Sequence, residues 1–251
     1  EFLRDAGLAG TYRFIQTREA ALRAYLATGM DSDPDVLRSR IFGLSNSRKA
    51  YGGRLDGLSD PIIIARRADA ERAFRAASPE AAALIDQQAA IQAEKMEMAA
   101  AYRAFPTLFN RNYGSALMKR ARALSMGDAE AAAAVEASAD LLERAYLIAE
   151  VDALRRYYQE QDLALPEAID GPSAEVAADR LLETSMAAMP SADPQEAEYD
   201  PAVALVRGLL PEIQAFSSAS AGLRAREADV ARQLGRVRFA TFGNSVPPDA
   251  T

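Results

Sequence analysis

The residues best suited to chemistry in this 251-residue chain cluster in one stretch, Leu44-Ser45-Asn46-Ser47-Arg48-Lys49-Ala50-Tyr51-Gly52-Gly53-Arg54-Leu55-Asp56-Gly57-Leu58. Ser45, Asn46 and Ser47 are poor helix-interior residues, because their side chains compete for backbone groups. Gly52, Gly53 and Gly57 each cost roughly 1 kcal/mol in a helix relative to Ala. A chain so rich in Ala could avoid that cost. Two readings are open: a helix break with close helix packing, or a polar, closely approachable backbone at the rim of a cleft with Asn46 presenting its carboxamide. A second candidate, Gly243-Asn244-Ser245, has the opening of a serine-nucleophile turn. Val246 and two prolines follow where glycine would be needed to form an oxyanion hole, so it reads as a structural turn.

Other chemistries are excluded by what is missing. The chain has no His and no Cys, so no Ser-His-Asp triad, Cys-His pair, disulfide or His- or Cys-ligated zinc can be assembled from it alone. Carboxylates are plentiful, but pairs such as Glu71/Arg75 have the i,i+4 spacing of helix-surface ion pairs. None has a spacing suited to acid–base work or to holding a metal. No catalytic residue, metal site or cofactor is therefore expected within this chain. The formal charge of −7 argues against a nucleic-acid surface. No apolar run approaches the ~20 residues of a membrane helix.

The elements that must position Asn46 are helical. Asp or Ser precedes Pro at Asp33-Pro34, Asp60-Pro61, Ser78-Pro79, Asp193-Pro194 and Asp200-Pro201, which is helix-start chemistry. Helices are expected over 11–28, 34–50, 61–77, 79–104, 113–126, 128–162, 173–189 and 201–234, with Gly208 and Pro211 kinking or restarting the last. In the sixth, Val135, Leu142, Tyr146, Ala149, Ala153 and Tyr157 share one face; that helix would be about 50 Å long. Irregular loops are expected at 105–112 and 190–199. Arg236-Val237-Arg238-Phe239-Ala240-Thr241-Phe242 alternates with period two, as a half-buried strand does. The fold class is thus mainly α, an irregular multi-helix bundle with long helices and a short β-like C-terminal segment.

Asn46-x-x-Lys49-x-x-x-Gly53-x-x-x-Gly57-Leu58, followed by Asp60-Pro61 and Glu71, resembles the bacterial serine dipeptidyl peptidases of the dipeptidyl peptidase 7, 11 and BII type. Phe2-Leu3-Arg4-Asp5 resembles the start of that family's inserted helical domain. Pro248-Asp249-Ala250-Thr251, behind Phe239 and Phe242, resembles its return into the catalytic domain. The resemblance implies a chymotrypsin-like double β-barrel outside this chain, residues 1–235 as a helical cap and 236–251 as the return segment. It also implies that no catalytic residue lies here, and that the chain, cut from something longer, is inactive alone. Asn46 corresponds to the family's asparagine that helps bind a substrate's free N-terminus. The implied partners are a peptide with a free N-terminus and the barrel domain of the same polypeptide, without nucleic acid or membrane. The resemblance leaves a homodimer through the parent protein open, and places the parent in the periplasm. The rival reading is a stand-alone helical interaction or scaffold module; a weaker third is a helical enzyme using carboxylates and a metal ion.

Overall fold

Four of the five Asp/Ser-Pro dipeptides start helices. Asp33 accepts the Val36 amide, Asp60 those of Ile62 and Ile63, Ser78 that of Ala81, and Asp200 those of Ala202 and Val203. Each cap contributes about 1 kcal/mol. The fifth, Asp193-Pro194, and nearly all of the loop expected at 190–199 lie outside the described residues. The structure, a computed structural model, describes residues 1–29, 33–135, 140–188 and 199–243.

Among the described residues ten α-helices follow in order: α1 (Leu8–Ala27), α2 (Pro34–Ser59), α3 (Pro61–Ala77), α4 (Pro79–Glu97), α5 (Ala99–Ala104), α6 (Ala116–Ser125), α7 (Ala129–Ala133), α8 (Leu141–Glu160), α9 (Ala174–Ala188) and α10 (Pro201–Phe242). Among the described residues there is no strand. The fold is mainly α.

Three expectations are corrected. The strand expected at 236–242 is the end of α10. Leu223, Val230, Leu234 and Val237 form a helical stripe against Leu84 and Ile91 of α4 and Met98 just beyond its end, and this packing outweighs a seven-residue alternation with no partner strand among the described residues. The helix runs from Pro201 to Phe242 without a break, passing Gly208 and Pro211. The helix expected over 128–162 is two. Asp140 accepts the amides of Leu142 and Glu143 and starts α8 anew, so Val135 falls outside the stripe it was grouped with. Third, α2 does not break at the glycines but continues to Ser59.

The main core lies where α5, α6, α8, α9 and the first half of α10 meet, around Leu117, Met118, Leu147, Val151, Leu154 and Leu209. Edge-on aromatic contacts link Phe2 to Tyr102, Tyr102 to Phe216 and Phe216 to Phe105, tying the start of the chain to α5 and α10. The second half of α10 runs antiparallel to α4. Glu94 pairs bidentately with Arg226, and Phe242 at the far end meets Phe74 of α3.

The α1–α2 hairpin has an apolar cluster of its own: Ile15 and Leu22 against Leu37, Ile41 and Leu44, joined to α8 through Tyr146. At α1's other end, a Cβ on Gly10 would stand 2.8 Å from the Cα of Arg103, so a bare residue is what lets α1 approach α5.

Candidate functional site

On α2, residues 35, 39, 42, 46, 50, 53 and 57 fall on one face at 3.6 residues per turn. The opposite face carries Leu37, Ile41, Leu44, Arg48 and Leu55. Of the second set, Leu37, Ile41, Leu44 and Arg48 meet α1 and Leu55 is half-buried; the first is exposed apart from half-buried Gly57. Asn46 therefore stands on the outer face of α2, directed away from the core. Among the described residues no hydrogen bond holds its carboxamide. One turn on, Lys49 is exposed, and it has no ion pair among the described residues.

The flanking residues fix this face. Glu19 of α1 is buried and accepts hydrogen bonds from Ser45 Oγ (2.6 Å), Arg48 Nε (2.8 Å) and Arg23 (2.7 Å). Burial pushes its carboxyl up, but these donors outweigh it and hold the group down at about 2. Ser45 and Arg48, on either side of Asn46, are thereby locked to α1 and set the rotation of α2. The glycines differ in their surroundings. A Cβ on Gly52 would touch the Tyr12 ring at 3.5 Å, whereas one on Gly53 would meet nothing within 4 Å. Packing among the described residues gives no reason for Gly53, nor for Gly43 earlier on the same helix.

A second constellation, absent from the sequence reading, lies inside the molecule. Arg18 of α1 and Glu150 of α8 are each 2% exposed, their side chains 3.7 Å apart. The Arg18 guanidinium lies between the rings of Phe14 and Tyr146, and its Nε donates to the Tyr113 carbonyl at 2.6 Å. Glu150 Oε1 accepts the Ser115 amide at 3.3 Å, while its Oε2 has no hydrogen-bond partner among the described residues. Burial pushes the Glu150 carboxyl up to about 7 against the pull of Arg18. Two helical turns away, Glu143 accepts the Ser115 hydroxyl (2.6 Å) and the amides of Ala116 (2.7 Å) and Leu117 (3.0 Å). It thus caps the start of α6. Gly114 makes room for this: its Cβ would lie 2.6 Å from Asn110 O and 2.9 Å from Glu150 Oε1. The signal that could have marked these groups was weak, Glu143 and Glu150 falling on the same stripe of α8 as Tyr146 and Leu147.

The pair Glu71/Arg75 is an exposed ion pair, as the spacing implied, and Arg75 also reaches Asp86. Among the described residues no group of His, Cys, Asp or Glu is arranged to hold a metal ion, and no helix is long and apolar enough to cross a membrane. Gly243 closes α10, donating to the Phe239 carbonyl; Asn244 and Ser245 lie outside the described residues.

The fold and this site define a mainly helical protein in which the outer face of α2 presents Asn46 to solvent beside the exposed Phe42. The family model for peptidase S46 matches residues 1–251, the whole chain. The chain belongs to that family, the serine peptidases of the dipeptidyl peptidase 7 and 11 group. Comparison with curated proteins and with solved structures found no match.

Proposed function

We propose that this chain is the helical cap domain of a serine dipeptidyl peptidase, and that Asn46 binds the free N-terminus of the peptide substrate. The observation that carries this reading is the placement of Asn46: exposed on the outer face of α2, its carboxamide unspent, with Ser45 and Arg48 fastening the helix behind it. An enzyme that counts two residues from a chain end must recognise the α-ammonium, the mark that distinguishes that end. Desolvating this cation is costly unless acceptors replace its water. A carboxamide oxygen accepts one of its three donors without adding charge, and an acid on the barrel domain neutralises it. The cap excludes water as it covers the cleft. The triad belongs to the barrel domain of the same polypeptide, so the chain alone hydrolyses no peptide. The parent works in the periplasm.

The test is Asn46→Ala in the full-length enzyme. It is expected to lower kcat/KM for dipeptidyl substrates by roughly 1.5–3 kcal/mol, the range for a hydrogen bond to a charged group. Wild-type efficiency in that variant overturns the assignment. Peptide hydrolysis by the purified 251-residue chain overturns the cap reading.

A further inference from the structure

The α1–α2 hairpin that carries Asn46 meets α5 where Gly10 approaches Arg103, and meets α8 over Tyr146 and the Arg18–Glu150 pair. This joint is poorly satisfied. At 3.7 Å the guanidinium is beyond hydrogen-bond reach of Glu150, and Glu150 holds one long backbone contact and one bare oxygen. A neutral acid is cheaper to bury in that state than a carboxylate. Arg18 from α1, Glu143 from α8 itself and Lys119 from α6 act on Glu150 electrostatically. A cavity of about 50 Å³ adjoins Arg18 and Glu150, with Arg13, the Arg103–Glu160 pair and the Arg156–Asp152 pair along its lining. One water needs roughly 10–15 Å³, so there is room for several to reach the pair once the hairpin shifts.

We propose that Glu150 and Arg18 are positioning residues for Asn46. They form a proton-sensitive joint in which a protonated Glu150 seats the α1–α2 hairpin on α8 and an ionised one loosens it. The reasoning is linkage. A loosened hairpin lets water solvate the carboxylate, so ionisation favours the loosened form. Burial sets the change in the neutral range, since the seated Glu150 titrates at about 7 against 4.5 when solvated. What moves is α2, held to α1 through Glu19, Ser45 and Arg48. The functional consequence rests on the reading of Asn46 above; the joint itself does not.

The experiment is hydrogen exchange of the α1 and α2 amides in the full-length protein from pH 5 to 8, corrected for the intrinsic exchange rate. Protection is expected to fall by up to about tenfold per pH unit toward pH 7 and then level off, and to be flat in Glu150→Gln. A flat wild-type profile, or a slope that survives in Glu150→Gln, overturns the joint. The kinetic arm is the pH profile of KM and kcat for a dipeptidyl substrate. KM is expected to rise with pH over the same range in the wild type and to stay flat in Glu150→Gln, with kcat profiles superimposed. If the exchange slope vanishes in Glu150→Gln while the KM profile is unchanged, the positioning role is overturned. The Asn46→Ala experiment is judged separately from either result.

Discussion

Glu143 shows how one buried side chain can organise a helix it does not belong to. It sits in α8, yet its two oxygens take the Ser115 hydroxyl and two free amides at the start of α6. Ser115 in turn accepts the Met118 amide, so one carboxylate and one hydroxyl satisfy the first turn between them. Glu143→Ala strands buried donors and opens a void, and is expected to destabilise the protein by about 2–4 kcal/mol in urea denaturation. A loss below about 0.5 kcal/mol, the size of an ordinary surface change, would mean that water replaces the carboxylate without cost. None of this was legible in the sequence. Glu143 lies 28 residues from Ser115, and Arg18 lies far from Glu150 in the chain. Both carboxylates look like the solvated ones around them. Only the fold reveals that they face inward.

Among the elements, α2 carries the residue proposed to bind substrate and was the most ambiguous to read. Its start was plain from Asp33-Pro34, and the end of α3 and start of α4 from Ser78-Pro79, because capping is local chemistry. Its continuation past Gly52 and Gly53 was not. Helix propensity is a weak local term, and here the contact of Tyr12 with Gly52 and of Arg48 with Glu19 holds the helix on α1 through the glycines. The same competition explains the end of α10, where a period-two pattern lost to a heptad-like stripe packing on α4. Asn46, by contrast, was legible as a candidate, since a polar residue amid costly neighbours is conspicuous in an Ala-rich chain. A discriminating substitution is Gly53→Ala. The added methyl meets nothing within 4 Å in this chain, so the purified chain is expected to gain up to about 1 kcal/mol from helix propensity, read as a higher urea midpoint. In the full-length enzyme the same change is expected to raise KM, because the bare backbone lies on the face that bears Asn46. A stabilised enzyme with unaltered KM would show that this part of the face approaches nothing.

At the scale of the whole molecule, two buried carboxylates on facing helices give stability opposite dependences on pH. Glu19 is held down at about 2 by Ser45, Arg23 and Arg48, below the ordinary 4.5. Its contribution is complete above pH 4.5 and is lost as pH falls toward 2. Glu150 is pushed up to about 7. Its native form binds the proton more tightly than the unfolded chain does, so its contribution is complete below pH 4.5 and is lost as pH rises to 7. The two together predict a maximum of stability near pH 4.5 from these groups, with a decline on the alkaline side of roughly 3 kcal/mol by pH 7. The measurement is the urea midpoint of the purified chain at steps from pH 3 to 8, for the wild type, Glu19→Gln and Glu150→Gln. Glu150→Gln is expected to remove the decline between 4.5 and 7 and leave the acid limb intact; Glu19→Gln is expected to flatten the acid limb alone. Parallel curves for the wild type and Glu150→Gln would mean that Glu150 is solvated in the native protein. The α1–α8 contact would then be an ordinary packed interface rather than a site of proton uptake.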